Sequence, residues 1–208
     1  MRVAVLGGTG SFGRALAARL AEAGEEVVIG SRDAERARAA AAELGPGVSG
    51  AANEDAVRGV DLAVLAVKAD AALDTVRQVA APLGSTPLLS VATAIAFRKG
   101  VGMVPDADAL SLAERIQELV AGPVVAGLHS IAAANIGDAP PDEDALVCGD
   151  DGPAKELALE LAGKVVAGRA LDAGPLASAR ALEGLTAVIV NLNRRYRAHA
   201  GIRVTGVA

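Results

Sequence analysis

Gly8, Gly10 and Gly13 stand at the spacing G-x-G-x-x-G within the run Gly7-Gly8-Thr9-Gly10-Ser11-Phe12-Gly13. Glycines at this spacing serve a pyrophosphate. Gly8 permits a tight turn, Gly10 lets the phosphates approach the backbone, and Gly13 lets a helix pack closely on a strand. Free amides at the helix start then face the anion. A tight turn without a ligand is the plainer alternative, but three glycines here weaken helix initiation with no structural return. The second chemical motif is Gly30-Ser31-Arg32 at the end of the next apolar run. A protein that binds NAD usually carries Asp or Glu at this place to hold the ribose hydroxyls. Here Ser31 and Arg32 occupy it, and Arg36 follows one helical turn later. A hydroxyl and two guanidinium groups suit a dianionic 2′-phosphate, so the motif points to NADP. The competing reading makes both arginines solvated, paired with Asp33 and Glu35.

These motifs need a strand before the glycine loop and a helix after it. Arg2–Leu6 reads as that strand and Ser11–Ala23 as that helix, stopped by Gly24. Glu26–Gly30 is a second strand. Asp33 then N-caps a helix that runs to Leu44 and stops at Gly45. A short strand at Val48–Ala51, a strongly apolar strand at Asp61–Val67 and a helix at Ala69–Ala81 follow. Beyond them come a strand at Pro87–Ala92, a loop at Gly100–Asp108, a helix at Asp108–Val120 and a strand at Pro123–Leu128. This alternation defines the α/β class, with a doubly wound parallel Rossmann sheet. After residue 128 the order is shorter and mixed: a strand at Asp144–Gly149, a helix opened by Pro153, a strand at Val165–Leu171 and a long helix from Pro175 to about Ala200. In that helix Leu182, Leu185, Ile189, Leu192 and Tyr196 form one apolar stripe, read as packing, with Glu183, Thr186, Asn193 and Arg197 on the opposite face. The expected organisation is a Rossmann NADP-binding domain over residues 1–128. A small C-terminal α/β extension, residues 129–208, packs on it and ends in the long helix.

Hydrophobic residues make up 52% of the 208 residues, enough for a sizeable core. With two Phe, one Tyr and no Trp, that core is built from Ala, Val, Leu and Ile, as in parallel sheets buried on both faces. The same scarcity argues against single-stranded nucleic acid, which needs aromatic stacking platforms. The formal net charge is −5 and no basic tract marks a nucleic-acid or membrane surface. Cys148 is the single cysteine and fits a reducing compartment. Met1–Gly10 reads as a strand and a loop, not a leader, and the longest apolar runs are far too short to span a bilayer. A cytoplasmic protein with small-molecule partners is expected, with no metal site and with a homodimer as one allowed state.

In a doubly wound sheet, ligands sit outside the carboxyl ends of the strands. Three such ends stand out: Val67-Lys68, Ser90–Ala94 and Leu128–Ala133. Small residues dominate them and leave room for flat rings. His129 is the one group there that titrates near neutrality; it reads equally as a structural hydrogen-bonder and as a chemical participant. Met1–Gly13 (MRVAVLGGTGSFG), Gly30–Arg32 (GSR), Asn53–Ala56 (NEDA), Leu128–Ala133 (LHSIAA), Val147–Asp151 (VCGDD), Leu171–Leu176 (LDAGPL) and Glu183–Asn191 (EGLTAVIVN) resemble the NADPH-dependent reductases of coenzyme F420, the deazaflavin:NADP oxidoreductases. The tail from Asn193 to Gly206 resembles actinobacterial members in particular. The resemblance covers nearly the whole chain. It implies that Thr9, Gly10, Ser11 and Phe12 line the pyrophosphate and that Ser31, Arg32 and Arg36 hold the 2′-phosphate. It further implies that Val67, Thr93 and Ala133 contact the nicotinamide half. His129, Ile131 and Gly201-Ile202 would border the deazaflavin, which makes residues 129–208 the deazaflavin-binding part. The activity implied is direct hydride transfer between NADP(H) and F420. No acid–base residue is obligatory, and His129 is a positioning candidate. Arg194, Arg195, Arg197 and Arg203 would offer a local positive field to an anionic deazaflavin.

Two other functions fit the dinucleotide site. An NADP-dependent imine or carbonyl reductase needs a positioned acid or base. The short-chain dehydrogenase arrangement is excluded, because Tyr196 is the single tyrosine and Ala200 stands where its lysine would be. A non-catalytic NADP-sensing module needs only the glycine loop, but the small residues at three strand ends favour a second planar ligand.

Overall fold

The computed structural model describes residues 1–137 and 139–207. β1 (Arg2–Leu6) runs through the glycine loop into α1 (Ser11–Glu22), and β2 (Glu26–Ser31), α2 (Ala34–Leu44) and β3 (Val48–Ala52) complete the first half. α3 (Asn53–Ala56), β4 (Leu62–Leu65), α4 (Ala69–Leu83) and β5 (Leu88–Ser90) follow. A hairpin, β6 (Ile95–Arg98) and β7 (Gly102–Pro105), precedes α5 (Leu112–Gln117) and β8 (Val124–Gly127). The chain closes with α6 (Ala133–Ile136), β9 (Ala145–Gly149), α7 (Gly152–Val165), β10 (Ala170–Asp172), a 3-10 turn (Leu176–Ser178) and α8 (Ala179–Tyr196).

Eight strands form one sheet in the order β10-β9-β8-β5-β4-β1-β2-β3. The six from β3 to β8 are parallel and follow the Rossmann order, which reverses between β1 and β4. β9 is antiparallel to β8, and β10 is parallel to β9. The residues after 128 therefore extend the same sheet. Val3–Leu6 and Leu62–Leu65 are wholly buried, as central strands covered on both faces must be. α1, α2 and α7 cover one face through Leu16, Leu20, Ala37 and Leu161. α4, α5 and α8 cover the other through Val76, Leu83, Ile116 and Leu182.

Several elements differ from the sequence reading. The strand expected at Val165–Leu171 is Ala170–Asp172, because α7 runs on to Val165, and the short helices α3 and α6 carry no sequence signal of their own. The loop expected at Gly100–Asp108 is the second half of the hairpin, with Ile95 opposite Pro105 and Arg98 opposite Gly102. α8 holds this hairpin: Asn191 accepts from the Met103 amide at 2.9 Å and donates to the Met103 carbonyl at 2.8 Å. The helix expected from Asp108 starts at Leu112, because Ser111 and Glu114 form a capping box there. The long helix stops at Tyr196, where Arg197 turns left-handed (φ 52°) and Asn193 accepts the Ala200 amide at 2.6 Å. Its stripe packs only in part: Leu182 and Ile189 are buried, but Leu192 and Tyr196 are 41% and 68% exposed. Glu183, placed on the face opposite the stripe, is buried and accepts the first two amides of α5, Leu112 at 3.1 Å and Ala113 at 3.2 Å. A carboxylate there satisfies two orphan donors at the positive end of a helix. Burial nevertheless raises its pKa, with the same amides opposing.

Candidate active site

The glycine loop turns at Gly7, whose φ is +81° and whose Cβ, if present, would lie 2.7 Å from the Ala66 carbonyl oxygen. The tight turn thus falls one residue earlier than Gly8, the position expected from the spacing. Gly8 instead lets the loop pass β2: a Cβ there would lie 2.5 Å from a methyl carbon of Ile29. Gly13 behaves as the spacing implied, with a would-be Cβ 2.5 Å from the Gly7 carbonyl oxygen. α1 opens at Gly10 with no side-chain cap. The amides of Ser11, Phe12 and Gly13 lie in its first turn, where an α-helix supplies no partners, and Ser11 is exposed. The positive end of a twelve-residue helix thus lies open there, an arrangement that suits an anion.

A groove of about 840 Å³ runs from this loop across the end of β2, with Thr9, Gly10, Ser31, Arg32 and Arg36 in its wall. The acidic neighbours of the two arginines are engaged elsewhere. Asp33 caps α2 by accepting from the Glu35 and Arg36 amides, and Glu35 pairs with Arg38 at 2.6 Å. The groove shares Ala66, Val67, Lys68 and Asp70 with a second cavity of about 410 Å³, which adds Phe12, Val91, Thr93 and Ile95. Val67 and Thr93, at the carboxyl ends of β4 and β5, therefore line one hollow.

The segment after β8 adjoins this hollow through α8. Leu128 sits in the left-handed region at φ 62°, a strained conformation for a branched residue, and so redirects the chain after β8. Thr186 of α8 donates to the His129 carbonyl oxygen at 2.8 Å, and its hydroxyl lies 3.4 Å from that of Thr93. His129 itself is buried, and neither ring nitrogen closes a hydrogen bond. Burial pushes its pKa down to about 4, with the Ala92 backbone opposing. Ile131 is buried in the core, and Ala133, half-buried, opens α6.

Gly201 and Ile202 are fixed at the same edge of the sheet, because β9 runs antiparallel to β8 and begins there. Ile202 accepts the Asp144 amide at 2.6 Å, and Gly201 packs so tightly on Glu143 that a Cβ would meet its carboxylate at 2.1 Å. Arg169 donates to Asp144 at 2.8 Å, which holds that buried carboxyl well below the usual range, and also donates to the Val204 carbonyl of the tail. The walls around Gly201 form a hollow of about 360 Å³ that includes Asn135, His199 and Arg203. It shares no wall residue with the other two cavities. Two of the four tail arginines are engaged: Arg194 stands 5.2 Å over the Phe97 ring and Arg203 pairs with Asp142. Thr186, Asn191 and Glu183 escaped the sequence reading because each acts on a backbone group far away in sequence.

The fold and the groove define a class: a dinucleotide-binding protein of the Rossmann type, with its ligand crevice at the strand switch point. Residues 2–94 match the family described as NADP oxidoreductase, coenzyme F420-dependent. The chain is 38% identical to the F420-dependent NADP reductase of Methanothermobacter marburgensis, over 100% of this chain and 99% of that protein. It belongs to this family. A crystal structure of an Arthrobacter protein, named as a candidate F420-dependent NADP reductase, superposes with a TM-score of 0.84 at 29% identity, covering 99% of this chain and all of that one. An imine reductase of Streptomyces aurantiacus reaches a TM-score of 0.62 at 24% identity, and the match spans only 62% of that chain, so it shows a shared fold alone.

Proposed function

We propose that the protein is an oxidoreductase that transfers a hydride directly between NADP(H) and coenzyme F420. One observation carries the reading: the arginine-lined groove opens through a shared wall into a second cavity at the ends of β4 and β5. A dinucleotide laid along this path has its 2′-phosphate at Ser31, Arg32 and Arg36. Its pyrophosphate meets Thr9, Gly10, Ser11 and Phe12, and its nicotinamide meets Val67 and Thr93, with Ala133 beyond. The deazaflavin stacks on the far side, bordered by His129, Ile131 and the Gly201-Ile202 strap, so that residues 129–208 form its side of the site.

The two coenzymes supply the hydride chemistry when bound. The chain's task is proximity and orientation, which in well-aligned reactions is worth about 7–11 kcal/mol of barrier. The uncapped start of α1 neutralises the pyrophosphate, and Arg32 and Arg36 select the 2′-phosphate. Thr186 holds the His129 backbone in register with Thr93. His129 stays neutral and hydrogen-bonds or packs on the ring edge, while water delivers the proton. An imine or carbonyl reductase and an NADP sensor are disfavoured by the family membership.

The reading extends to a cytoplasmic homodimer that binds no nucleic acid. Its support is the acidic net charge together with Phe97, Val188, Leu192 and Tyr196, large apolar side chains exposed on the hairpin and on α8. Light scattering tests the oligomer. The activity is tested by absorbance with NADPH and oxidised F420, beside FMN and FAD. Rapid loss of oxidised deazaflavin, with neither flavin turned over comparably, is expected. Turnover of FMN or FAD but not F420 would contradict it.

A further inference from the structure

Two motifs far apart in sequence, Gly30-Ser31-Arg32 and Asn53-Glu54-Asp55-Ala56, meet at the end of the groove. β3 pairs with β2 so that Ser31 lies opposite Ala52, and Asn53 follows at once as the first residue of α3. The contact is close: a Cβ on Gly30 would lie 2.8 Å from Asn53 Oδ1, so only glycine leaves room for the amide. Asn53 is 5% exposed, yet it lines the same groove as Ser31, Arg32 and Arg36. Its Oδ1 is sealed from solvent and has no hydrogen-bond partner. Buried polar groups are nearly always paired, so an unpartnered amide in a groove wall marks a place where a ligand completes it. Packing alone gives no account of it, since an apolar side chain of that size would fill the hollow without an orphaned oxygen.

We propose that Asn53 is a further specificity-determining residue for the cofactor, its side-chain amide turned to donate from its NH2 group to the 2′-phosphate beside Ser31 and Arg32. The inference rests on the NADP reading above. A primary amide suits the position, since it offers two donors and an acceptor and can turn to present either. It is also neutral. A carboxylate in its place would repel the dianion that the arginines attract, and would accept from ribose hydroxyls instead.

Calorimetric titration with adenosine 2′,5′-bisphosphate and with 5′-AMP tests this without turnover. The parent protein should prefer the bisphosphate by more than about tenfold. Asn53→Ala should cut that preference about fivefold or more and Asn53→Asp about tenfold or more, with 5′-AMP affinity within about twofold of the parent. Thermal melts establish that each variant is folded; if the aspartate variant is not, the smaller alanine variant decides. A parent that binds both nucleotides equally overturns the NADP reading and this inference with it. A parent that prefers the bisphosphate, with the preference unchanged in Asn53→Ala, overturns the role of Asn53 alone. An equal loss for both nucleotides does the same.

Discussion

The Thr186 hydroxyl donates to the His129 carbonyl oxygen at 2.8 Å, and its own oxygen lies 3.4 Å from the Thr93 hydroxyl. One side chain of α8 thus ties the end of β5 to the segment after β8, the two places proposed to meet the nicotinamide and the deazaflavin. A hydrogen bond of this kind is worth about 0.5–1.5 kcal/mol net, or up to about tenfold in rate. Thr186→Val should lower kcat/KM for F420 by about that factor and leave NADPH binding unchanged. Thr186→Ser, which keeps the donor, should recover most of the loss. Steady-state kinetics with each coenzyme varied in turn measures the split. Equal weakening of both coenzymes would show that Thr186 only stabilises the fold.

His129 is buried, and its pKa is pushed down to about 4, so it carries no charge at neutrality. A general acid contributes roughly 10²–10⁴-fold, while a positioning contact contributes far less. His129→Asn should therefore lower kcat by about tenfold or less, and the pH profile should show no limb near the ordinary imidazole value. Stability carries a second signature. The unfolded chain protonates this residue near 6.5 and the folded chain near 4, so stability is full above 6.5 and falls as pH drops between the two. The slope is up to about 1.4 kcal/mol per pH unit. Thermal melts near pH 7 and 5 should show a larger drop for the parent than for His129→Asn. Matching drops would place the proton elsewhere.

Arg32 lines the groove while its acidic neighbours are engaged in a cap and an ion pair. NADPH should outcompete NADH by more than about tenfold in kcat/KM, at least about 1.4 kcal/mol. Arg32→Ala should raise KM for NADPH and leave NADH nearly unchanged. Equal use of NADH by the parent would remove the 2′-phosphate from the argument.

Cys148 lies wholly buried in β9, and burial pushes its thiol up to about 11. A thiol so placed is neither ionised nor reachable. Cys148→Ala should retain activity, and the native protein should resist thiol-directed alkylation. Rapid inactivation by alkylation would mark Cys148 as functional.

Much of the first half was legible because its signals are local. Gly10 and Asp33 open helices, and the apolar runs Val3–Leu6 and Leu62–Leu65 are buried on both faces. Ser31, Arg32 and Arg36 follow a strand whose end had to face the ligand. The rest depends on contacts that no window of sequence contains. Gly102–Pro105 looks like loop and Ile95–Arg98 carries no strand signal, and the pairing of Asn191 with Met103 holds that hairpin to α8. The antiparallel direction of β9 leaves no mark on its apolar pattern. Glu183 reads as one residue of the face opposite the apolar stripe until the start of α5 is seen to rest on it. Asn53 stood inside a motif with no role, because its neighbour Gly30 lies more than twenty residues away.

The most direct test of the central claim follows one hydrogen. NADPH deuterated at the transferring position of the nicotinamide is mixed with oxidised F420 in ordinary water, and the reduced deazaflavin is weighed by mass spectrometry. Direct transfer between stacked ring carbons predicts one deuterium on the product, with none washed out to solvent. Reduced F420 without deuterium would mean that the hydride passes through an exchanging intermediate, and the account of two rings held face to face would be wrong.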